Sequence, residues 1–362
     1  MKYMETLLIL VVLPALFAAT VTYATTPLVI RLAGKIGIID DPKKHIHPKV
    51  IHTYPVPRGG GIPVFLGILT ASIFLITLDQ HLVGILLGAF VIVILGVIDD
   101  RLDLNPHKRL AIQFLAAGIP IAAGIGIAFL TNPFNGVIDL SYPRITLFLF
   151  GEERNIWILS DLFALLWIVT LMNFINIGAS GLDGQLSGTV AIAAATIAVL
   201  SLRFSADITQ WPVTILAAIT MGAYLGFLPW HIFPQKIMPG FGGSTLAGFM
   251  LGILSILSTT KVGTLMVVLA VPLIDTVFTM ARRILSGKSP FWGDRGHLHH
   301  KLLDAGFSKR SVALFYWVIT GILGILALNL NASYKFYTIV GITVAIGGLL
   351  FWLSYRLKKI KL

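Results

Sequence analysis

The sequence contains no cysteine in 362 residues. This absence excludes disulfide bridges, thiolate metal ligands and cysteine nucleophiles. Charge is also scarce, because Asp, Glu, Lys and Arg make up 12% of the chain, whereas a soluble domain carries about 25%. With 56% hydrophobic residues and a mean hydropathy of +0.89, the chain is predicted to be an integral membrane protein.

Eleven apolar segments reach or approach the length that crosses a bilayer, which is roughly 20 residues. They lie at about 5–30, 60–78, 82–98, 110–130, 160–177, 188–202, 211–229, 244–259, 262–281, 311–329 and 336–355. This pattern predicts an all-α fold, a polytopic membrane helical bundle of about 11 transmembrane helices that forms one domain over residues 1–362. The first segment contains Pro14 and lacks a small-residue cleavage site, so we expect a retained span.

Basic residues are distributed unevenly between the two sets of connecting segments. One set holds 21 of the 27 Lys and Arg residues. It comprises the segments 31–58, 99–109, 173–187, 230–243 and 282–310 and the tail from Arg356. Because cytoplasmic loops are enriched in Lys and Arg, this side is predicted to be cytoplasmic, with the N-terminus outside and the C-terminus inside. On the other side, the segment about 131–159 is predicted to be an external hairpin.

The net charge of +11 is therefore expected to belong mainly to one membrane face. Such a face suits anionic lipid headgroups and phosphorylated ligands. Nucleic acid is not expected as a partner, because the sequence has no soluble basic domain and no basic patch interleaved with aromatic residues.

Three acidic residues crowd the end of an apolar helix in the stretch VIDDRLD. If this helix continues by one turn, Asp99 and Asp103 are i,i+4 neighbours that repel each other. The helix dipole also disfavours anions at a C-terminus. A bound cation would remove this conflict, and oxygen ligands suit Mg²⁺, with Mn²⁺ as an alternative. A second interpretation stays open, in which Asp99, Asp100 and Asp103 form a solvated helix end balanced by nearby Arg and Lys residues.

A further acid, Asp275, lies inside an apolar segment, in VPLIDT. An ionised carboxylate within a span costs at least ~3 kcal/mol on insertion scales, so such a residue is a functional candidate. The structural alternative is that Asp275 snorkels towards Arg282 and Arg283, roughly two turns away, or pairs with a neighbouring helix.

Several other polar residues fall on the same predicted face. Asn173, Asn176 and Asp183 follow the fifth span in NFINIGASGLDGQ, and Arg58 precedes the glycines of PRGGG. Glycine-rich stretches such as PRGGG and GFGG (240–243) permit close backbone approach to a ligand, although each is a weak signal alone. The convergence of polar residues from separate spans on one face indicates a site.

The stretch HLHH places His297, His299 and His300 within four residues, shortly after Arg295. Their i, i+2, i+3 spacing does not bring them to one helix face, as the zinc-binding H-x-x-x-H pattern does. Imidazoles grouped with Arg and Lys suit phosphate oxygens instead. In the first loop, His52 is expected at the surface, where it could contact lipid headgroups.

In this order and on this face, the motifs resemble the polyprenyl-phosphate N-acetylhexosamine-1-phosphate transferases. These enzymes initiate the assembly of peptidoglycan, teichoic acid and the O-antigen of lipopolysaccharide. The resemblance covers roughly residues 27–310. It rests on DDPKK near 40, HTYPVPRGGG, the DDRLD turn, NFIN followed by GLDG, PLID, and the most specific stretch, SGKSPFWGDRGHLHHKLL.

The resemblance implies a multi-pass enzyme of the bacterial plasma membrane with a cytoplasmic Mg²⁺ site. Undecaprenyl phosphate, or another polyprenyl phosphate, would attack a UDP-N-acetylhexosamine and release UMP, and the overall pattern favours N-acetylglucosamine. By motif, Asp99 and Asp100 correspond to paired catalytic acids that hold the metal together with Asp183. The residues expected to bind substrate are Arg58, Asn173, Asn176, Asp275, Arg295, His297, His299 and His300.

Two positions depart from the family pattern. Ser180 stands where D-G-x-D-G usually has its first acid, and Phe241 stands where G-D-x-G-S usually has its acid. Either Asp183 or Asp103 takes over, or metal use and activity are altered, as in a binding-only relative. A secondary transporter is the rival from another class, but it would place polar residues near the middle of the membrane. A homodimer is left open.

A phosphate monoester is largely dianionic at neutral pH, so the lipid phosphate is already a nucleophile. The larger obstacle is its repulsion by the diphosphate, roughly 4 kcal/mol for each pair of unit charges ~4 Å apart at an effective dielectric of 20. Catalysis is therefore expected to depend on positioning and on neutralisation by Mg²⁺, Arg and His. A covalent aspartyl-phosphate route stays open but is not required.

Overall fold

The computed structural model describes residues 2–44, 50–149, 152–204, 206–258, 261–290 and 293–360. Within these ranges the chain is mainly helical, as predicted. The helices are α1 (Lys2–Leu7), α2 (Leu13–Ile36), α3 (Gly61–Leu75), α4 (Gln80–Leu102), α5 (Pro106–Ala122), α6 (Ile158–Gly178), α7 (Gln185–Leu202), α8 (Trp211–His231), α9 (Gly240–Leu257), α10 (Lys261–Val268), α11 (Ala270–Leu285), α12 (Leu298–Asp304), α13 (Lys309–Ala327) and α14 (Ala332–Ile360). A π-helical turn, Leu8–Val12, joins α1 to α2.

The helices have the length and composition of a polytopic membrane protein. Among the described residues, eight helical segments are long and apolar enough to cross a bilayer, and nine if α10 and α11 count as one span. The two helices of that pair meet at a short break and are bent by 81°. The hydropathy of residues 262–281 does not predict this bend. The other two predicted spans are α3 and α5, which have 15 and 17 residues. At 1.5 Å per residue these helices are shorter than the roughly 30 Å hydrocarbon layer.

Three short antiparallel hairpins accompany the helices in the described ranges. The segment predicted as one external hairpin forms two, β3 (Phe129–Thr131) with β4 (Val137–Asp139) and β5 (Arg144–Leu149) with β6 (Glu152–Trp157). Near the other end of the bundle, β1 (Ile39–Asp40) pairs with β2 (Val56–Pro57). This last pairing brings Asp40 beside Arg58.

Glycines let the helices approach closely at the end of the bundle where α4 ends and α9 begins. A Cβ on Gly96 of α4 would lie 2.2 Å from Cα of Gly242 in α9, and a Cβ on Gly61 would lie 2.6 Å from the nitrogen of Gly243. The glycines of PRGGG also bond to the two residues just before GFGG, since Gly60 N donates to the Met238 carbonyl at 3.0 Å and Gly61 N to the Pro239 carbonyl at 3.1 Å. Their glycines therefore serve close helix and loop packing.

Candidate active site

A cavity of about 410 Å³ opens at this end of the bundle. The ends of α4, α6 and α8, the beginnings of α5 and α9, and the loop before α12 form its wall. The structure places nine of the predicted site residues in this wall. They are Arg58, Asp99, Asp100, Asn173, Asn176, Asp183, His297, His299 and His300. Asp275 and Arg295 do not belong to the wall.

Asp100 lies against the N-terminus of α9. Its Oδ1 accepts a hydrogen bond from the Phe241 N–H at 3.1 Å, a favourable contact at the positive end of a helix dipole. Gly240 makes this approach feasible, because it has φ +66° and a Cβ there would lie 2.1 Å from Asp100 Oδ2. Oδ2 is buried and accepts no hydrogen bond from the part of the chain that the structure describes. One oxygen of Asp100 is therefore anchored and the other is available to a ligand.

Asp99 is engaged by a cation of the protein itself. Arg109 Nε lies 2.6 Å from Asp99 Oδ1, so the two side chains form an ion pair. The Nε–H bond does not point at the oxygen well enough for this contact to be a hydrogen bond. The same guanidinium donates through Nη2 to Asp103 at 2.7 Å. The helix does continue one turn beyond residue 98, because α4 ends at Leu102 and the Asp103 N–H still donates to the Asp99 carbonyl at 2.8 Å. Asp103 itself caps this turn in a left-handed conformation with φ +47°. The repulsion expected between Asp99 and Asp103 is thus relieved by Arg109.

Phe241 forms the other side of the Arg109 environment. The guanidinium carbon lies 5.3 Å from the centroid of the Phe241 ring, within the range of a cation–π contact. The residue that departs from the family pattern therefore holds an arginine in the cavity wall. Ser180, the other departure, donates through Oγ to the Asn176 carbonyl and also lines the cavity.

Asp183 and the two asparagines occupy the wall next to α6. Lys309 Nζ lies 3.6 Å from Asp183 Oδ1, and neither carboxylate oxygen has a hydrogen-bond partner in the described ranges. Asn176 Oδ1 accepts from Ser244 Oγ at 2.6 Å, which joins α6 to α9. Asn173 Nδ2 donates to Gln113 Oε1 at 2.9 Å, which joins α6 to α5. The asparagines thus join α6 to α5 and to α9 beside the cavity.

The predicted metal ligands do not form a compact cluster. Among the described residues, no three His, Asp or Glu side chains lie close enough to hold a metal ion by themselves. The physical reason at Asp99 is its pairing with Arg109. Asp100 and Asp183 do retain buried oxygens without hydrogen bonds. This donor set fits Mg²⁺, which proteins often bind through one or two carboxylates together with substrate phosphates and water.

Asp275 contacts the start of the histidine stretch. It is fully buried in α11, and its Oδ2 lies 2.9 Å from His297 Nδ1 while its Oδ1 accepts from Leu298 N at 2.8 Å. On the opposite edge of the imidazole, Arg283 Nη2 lies 3.3 Å from His297 Nε2. Because arginine only donates, this arrangement is that of a neutral imidazole with its proton on Nδ1. Asp275 therefore positions His297, and the sequence prediction of direct substrate contact is not matched by its location.

His299 and His300 carry the free imidazole nitrogens of this stretch. Both residues are buried, and neither Nδ1 has a hydrogen-bond partner within the described ranges. Burial, reinforced by the neighbouring charge of Arg295, lowers the pKa of His300 to about 4. Burial also lowers the pKa of His299 well below its ordinary value. His299 and His300 thus present neutral imidazoles at physiological pH.

The segment before the histidines is held by ion pairs. Asp294 pairs with Arg282 Nη2 at 2.7 Å and with Arg283 Nη2 at 3.2 Å. Burial alone would raise the pKa of Asp294, but the Arg283 hydrogen bond and the two guanidinium charges lower it overall. Arg295 points elsewhere and pairs with Asp304 at 2.6 Å. Arg295, which the sequence predicts to bind substrate, therefore lies outside the cavity wall.

Arg58 and His52 also line the cavity. Arg58 Nη2 donates to Asp40 Oδ2 at 2.6 Å. Burial would lower the pKa of Arg58, but the hydrogen bond and charge of Asp40 raise it overall. His52 is 6% exposed and lines the cavity, so its predicted surface position is wrong. Residues 50–52, which precede β2, line the cavity, and composition alone does not indicate this.

Sequence reasoning missed several residues of the wall. Arg109, Asp40, Arg283 and Asp294 line the wall, but the sequence predicts no site role for them. Asp40 and Asp294 fall within longer motifs, and Arg283 is expected only as a partner of Asp275. The sequence gives no indication that His231 belongs to the site. Its hydrogen-bond partner Ser187, at 2.8 Å, lies 44 residues away in the chain, so the contact exists only after folding. A periodic pattern could not have found any of these contacts.

The cavity thus combines fixed cations with carboxylate oxygens that accept no hydrogen bond from the described residues. Arg58, Arg109 and Arg283 supply positive charge, whereas Asp100 and Asp183 supply buried oxygens. A highly charged anion such as a diphosphate can be attracted by the guanidinium groups. It can approach the carboxylates only if a further cation lies between them. The arrangement is suited to transfer between two phosphorylated molecules.

Comparisons with known proteins identify relatives over most of the chain. Residues 82–259 match glycosyl transferase family 4. The probable undecaprenyl-phosphate N-acetylglucosaminyl 1-phosphate transferase of Bacillus subtilis is 31% identical over 85% of this chain and 81% of its own length. The decaprenyl-phosphate N-acetylglucosaminephosphotransferase of Mycobacterium leprae is 30% identical over 86% and 81%. The undecaprenyl-phosphate alpha-N-acetylglucosaminyl 1-phosphate transferase of Escherichia coli K12 is 28% identical over 91% and 86%.

Proposed function

This chain belongs to glycosyl transferase family 4, and we propose that it transfers N-acetylglucosamine 1-phosphate from UDP-N-acetylglucosamine to polyprenyl phosphate. The enzyme is a phospho-N-acetylhexosamine transferase. The observation that carries the proposal is a cavity whose wall holds Arg58, Arg109 and Arg283 together with oxygens of Asp100 and Asp183 that accept no hydrogen bond from the described residues. The product would enter cell-envelope glycopolymer synthesis, such as that of lipopolysaccharide or teichoic acid.

The reaction joins two anions. An oxygen of the lipid phosphate attacks the sugar-linked phosphorus of the UDP-sugar. The bond from that phosphorus to the bridging oxygen breaks, and UMP leaves with the oxygen and the electron pair. Because the attacking dianion needs little further deprotonation, the protein contributes mainly by alignment and charge neutralisation.

The cavity offers a distinct task to each group. Arg58 and Arg283 are held by Asp40 and Asp294, so their guanidinium planes are fixed before substrate arrives. Arg109 is fixed between Asp99 and the Phe241 ring. Preorganised cations of this kind stabilise charge that develops on a transferring phosphoryl group without reorganising. The neutral imidazoles of His299 and His300 can donate or accept a hydrogen bond at sugar or phosphate oxygens.

We propose Mg²⁺ as the cofactor, with Mn²⁺ as an alternative, held by Asp100 and Asp183 together with substrate oxygens. When bound, the ion supplies positive charge between the carboxylates and the diphosphate. Asp99 contributes to this part of the cavity indirectly, through its contact with Arg109. The proposal is supported by the buried oxygens of Asp100 and Asp183, which accept no hydrogen bond from the described residues and therefore suit a bound cation.

We further propose eleven spans, with the N-terminus outside, the C-terminus in the cytoplasm, and the cavity at the cytoplasmic face of the bacterial plasma membrane. The bent α10–α11 pair, α3 and α5 would then be spans beside the eight longer segments. The distribution of basic residues supports this orientation, because the segments that form the cavity are those that hold most of the 27 Lys and Arg residues.

Two alternatives remain to be compared in one assay. A secondary transporter would bind substrate near the middle of the membrane, whereas this cavity lies at one end of the helices. A binding-only relative is suggested by Phe241 and Ser180, which replace family acids. Membranes that contain the protein should release UMP from UDP-N-acetylglucosamine only when undecaprenyl phosphate is added. Release without the lipid, or no release, would contradict the proposal.

A further inference from the structure

A second cavity, of about 580 Å³, lies beside the active cavity. The C-terminal part of α2, the segment that ends in β2 and the loop after α8 form it. We call it the Arg31–Lys236 groove, and its lining includes Arg31, Tyr54, Trp230, Gln235, Lys236 and four prolines. Gln235 also lines the active cavity, so the two cavities share a wall.

The Arg31–Lys236 groove is positively charged. Arg31 and Lys236 are its charged residues, both are exposed, and no Asp or Glu of the described ranges lines it. Lys236 Nζ lies 5.0 Å from the centroid of the Trp230 ring, which keeps the ammonium group over the groove. The groove thus has the charge that attracts an anion and the apolar lining that tolerates hydrocarbon.

Trp230 adds an unused hydrogen-bond donor. Its Nε1 is buried and finds no acceptor in the described part of the protein. The ring itself is held in place by Tyr23, with 5.1 Å between the ring centroids. A buried indole N–H normally finds an acceptor, so its free state here indicates that a ligand supplies the oxygen.

We propose that the Arg31–Lys236 groove binds the phosphate headgroup of an anionic membrane phospholipid. Arg31 and Lys236 pair with the headgroup, the Trp230 N–H donates to one of its oxygens, and the prolines contact the glycerol and the upper acyl chain. The location fits, because Arg31 and Trp230 lie near the C-terminal ends of α2 and α8. The ends of spans lie at the depth of lipid phosphates, where Trp and basic residues are enriched.

The groove is suited to a resident phospholipid and not to the acceptor lipid of the proposed transfer. Neither Arg31 nor Lys236 lines the active cavity, and neither Asp100 nor Asp183 lines the groove. A phosphate held in the groove is therefore separated from the reacting groups by the wall at Gln235. Its binding can be measured without any reference to catalysis.

A bound phospholipid would stabilise the wall of the active cavity. The Tyr54 hydroxyl donates to the Gln235 carbonyl at 3.1 Å, which joins the segment before α3 to the loop after α8. Both segments continue directly into the cavity wall, at Arg58 and at Met238. A headgroup that contacts Tyr54, Trp230 and Lys236 would hold these two segments together, so anionic lipid is expected to raise the melting temperature.

The test is lipid retention by the full-length protein, measured by native mass spectrometry after exchange into neutral detergent. Phosphatidylglycerol is the probe and phosphatidylcholine the neutral comparison. The double variant Arg31→Gln/Lys236→Gln should weaken phosphatidylglycerol binding roughly 30-fold, and Trp230→Phe about tenfold. Lys35→Gln/Lys108→Gln removes two exposed charges outside the groove and should bind as the wild type does.

Two results would overturn the proposal. One is equal phosphatidylglycerol retention by the wild type and by the Arg31→Gln/Lys236→Gln variant. The other is displacement of the retained lipid by undecaprenyl phosphate, together with a raised KM for that lipid in the double variant, which would make the groove the seat of the acceptor. Retention of phosphatidylglycerol can be measured without any transferase activity. If the proposed transferase activity is not found, the lipid-binding result can therefore still be interpreted.

Discussion

Arg109 is stacked on Phe241, with its guanidinium carbon 5.3 Å from the centre of the ring. The same side chain is paired with Asp99 and Asp103, so it is fixed from three sides in the wall of the active cavity. An aspartate at position 241 would compete with Asp99 for this guanidinium. The phenylalanine therefore leaves the Arg109 charge to Asp99 and Asp103, while its own backbone N–H donates to Asp100 Oδ1.

The first prediction concerns that cation. Arg109→Gln should lower kcat about 100-fold, because a preorganised donor to the transferring phosphoryl group is lost. It should also lower the melting temperature, since Asp99 is left buried without its partner. Arg101→Gln, an exposed change on α4 outside the cavity, is the matched control and should have little effect. Equal activity of the two variants would show that Arg109 takes no part in transfer.

The second prediction concerns Gly240. Gly240→Ala introduces a methyl group 2.1 Å from Asp100 Oδ2 at a residue with φ +66°, so it should displace the carboxylate and destabilise the protein. Gly118→Ala is the opposite case, because a Cβ there meets nothing within 4 Å and the residue lies inside α5. It should stabilise by up to about 1 kcal/mol. If Gly240→Ala and Gly118→Ala change the melting temperature in the same direction, the close approach between Gly240 and the Asp100 carboxylate is refuted.

The third prediction concerns Asp275 as a positioning residue. In Asp275→Asn the new amide can donate to His297 Nδ1, which moves the imidazole proton to Nε2 and turns it towards Arg283. We expect kcat to fall about 100-fold or more, as wrong-tautomer variants do, while KM changes little. The pH profile of kcat should shift as well, which a purely structural role would not cause. A variant with normal kcat and raised KM would instead support direct substrate binding by Asp275.

The fourth prediction concerns acid stability. Burial lowers the pKa of His300 to about 4, while the unfolded residue titrates near 6.5. Between these values the unfolded chain binds the additional proton, so stability is complete above pH 6.5 and falls as the pH drops towards 4. The loss from His300 is about 3 kcal/mol. The charges of Arg295 and His297 favour the neutral form, whereas Asp304 and Asp294 oppose this.

Melting curves of detergent-solubilised protein between pH 7.5 and 4.5 check this effect. His300→Gln should flatten the decrease of melting temperature with acid, because it removes a group that protonates preferentially on unfolding. His299 adds a decrease of the same sign, so some acid sensitivity remains in the variant. Parallel curves for wild type and variant would contradict a buried neutral His300.

Hydropathy predicts the helices of this protein well, because each of the eleven predicted spans contains a helix. It does not predict that the span 262–281 is bent by 81°, since both halves are equally apolar. Charge distribution likewise indicates which segments meet, and nine predicted residues do line one cavity. One-dimensional patterns thus identify the elements and the face that carries the site.

The contacts between residues inside the site cannot be predicted in this way. Whether Asp99 faces a metal or Arg109 depends on the left-handed turn at Asp103, which redirects α5 against the end of α4. The role of Asp275 depends on His297, which is 22 residues later in the chain. Such contacts between distant residues are decided by packing and leave no spacing signal in the sequence.

The central claim is tested most directly at Asp100. In Asp100→Asn, Oδ1 can still accept from the Phe241 N–H, so the fold should be retained, but the available oxygen becomes an amide that cannot hold a cation. The measurement is UMP release from UDP-N-acetylglucosamine by purified protein with undecaprenyl phosphate and Mg²⁺, compared with the wild type and with wild type in EDTA. We predict lipid-dependent release by the wild type, and none by the variant or in EDTA, at an unchanged melting temperature of the variant. Near-normal release by Asp100→Asn, or full wild-type activity in EDTA, would contradict this account.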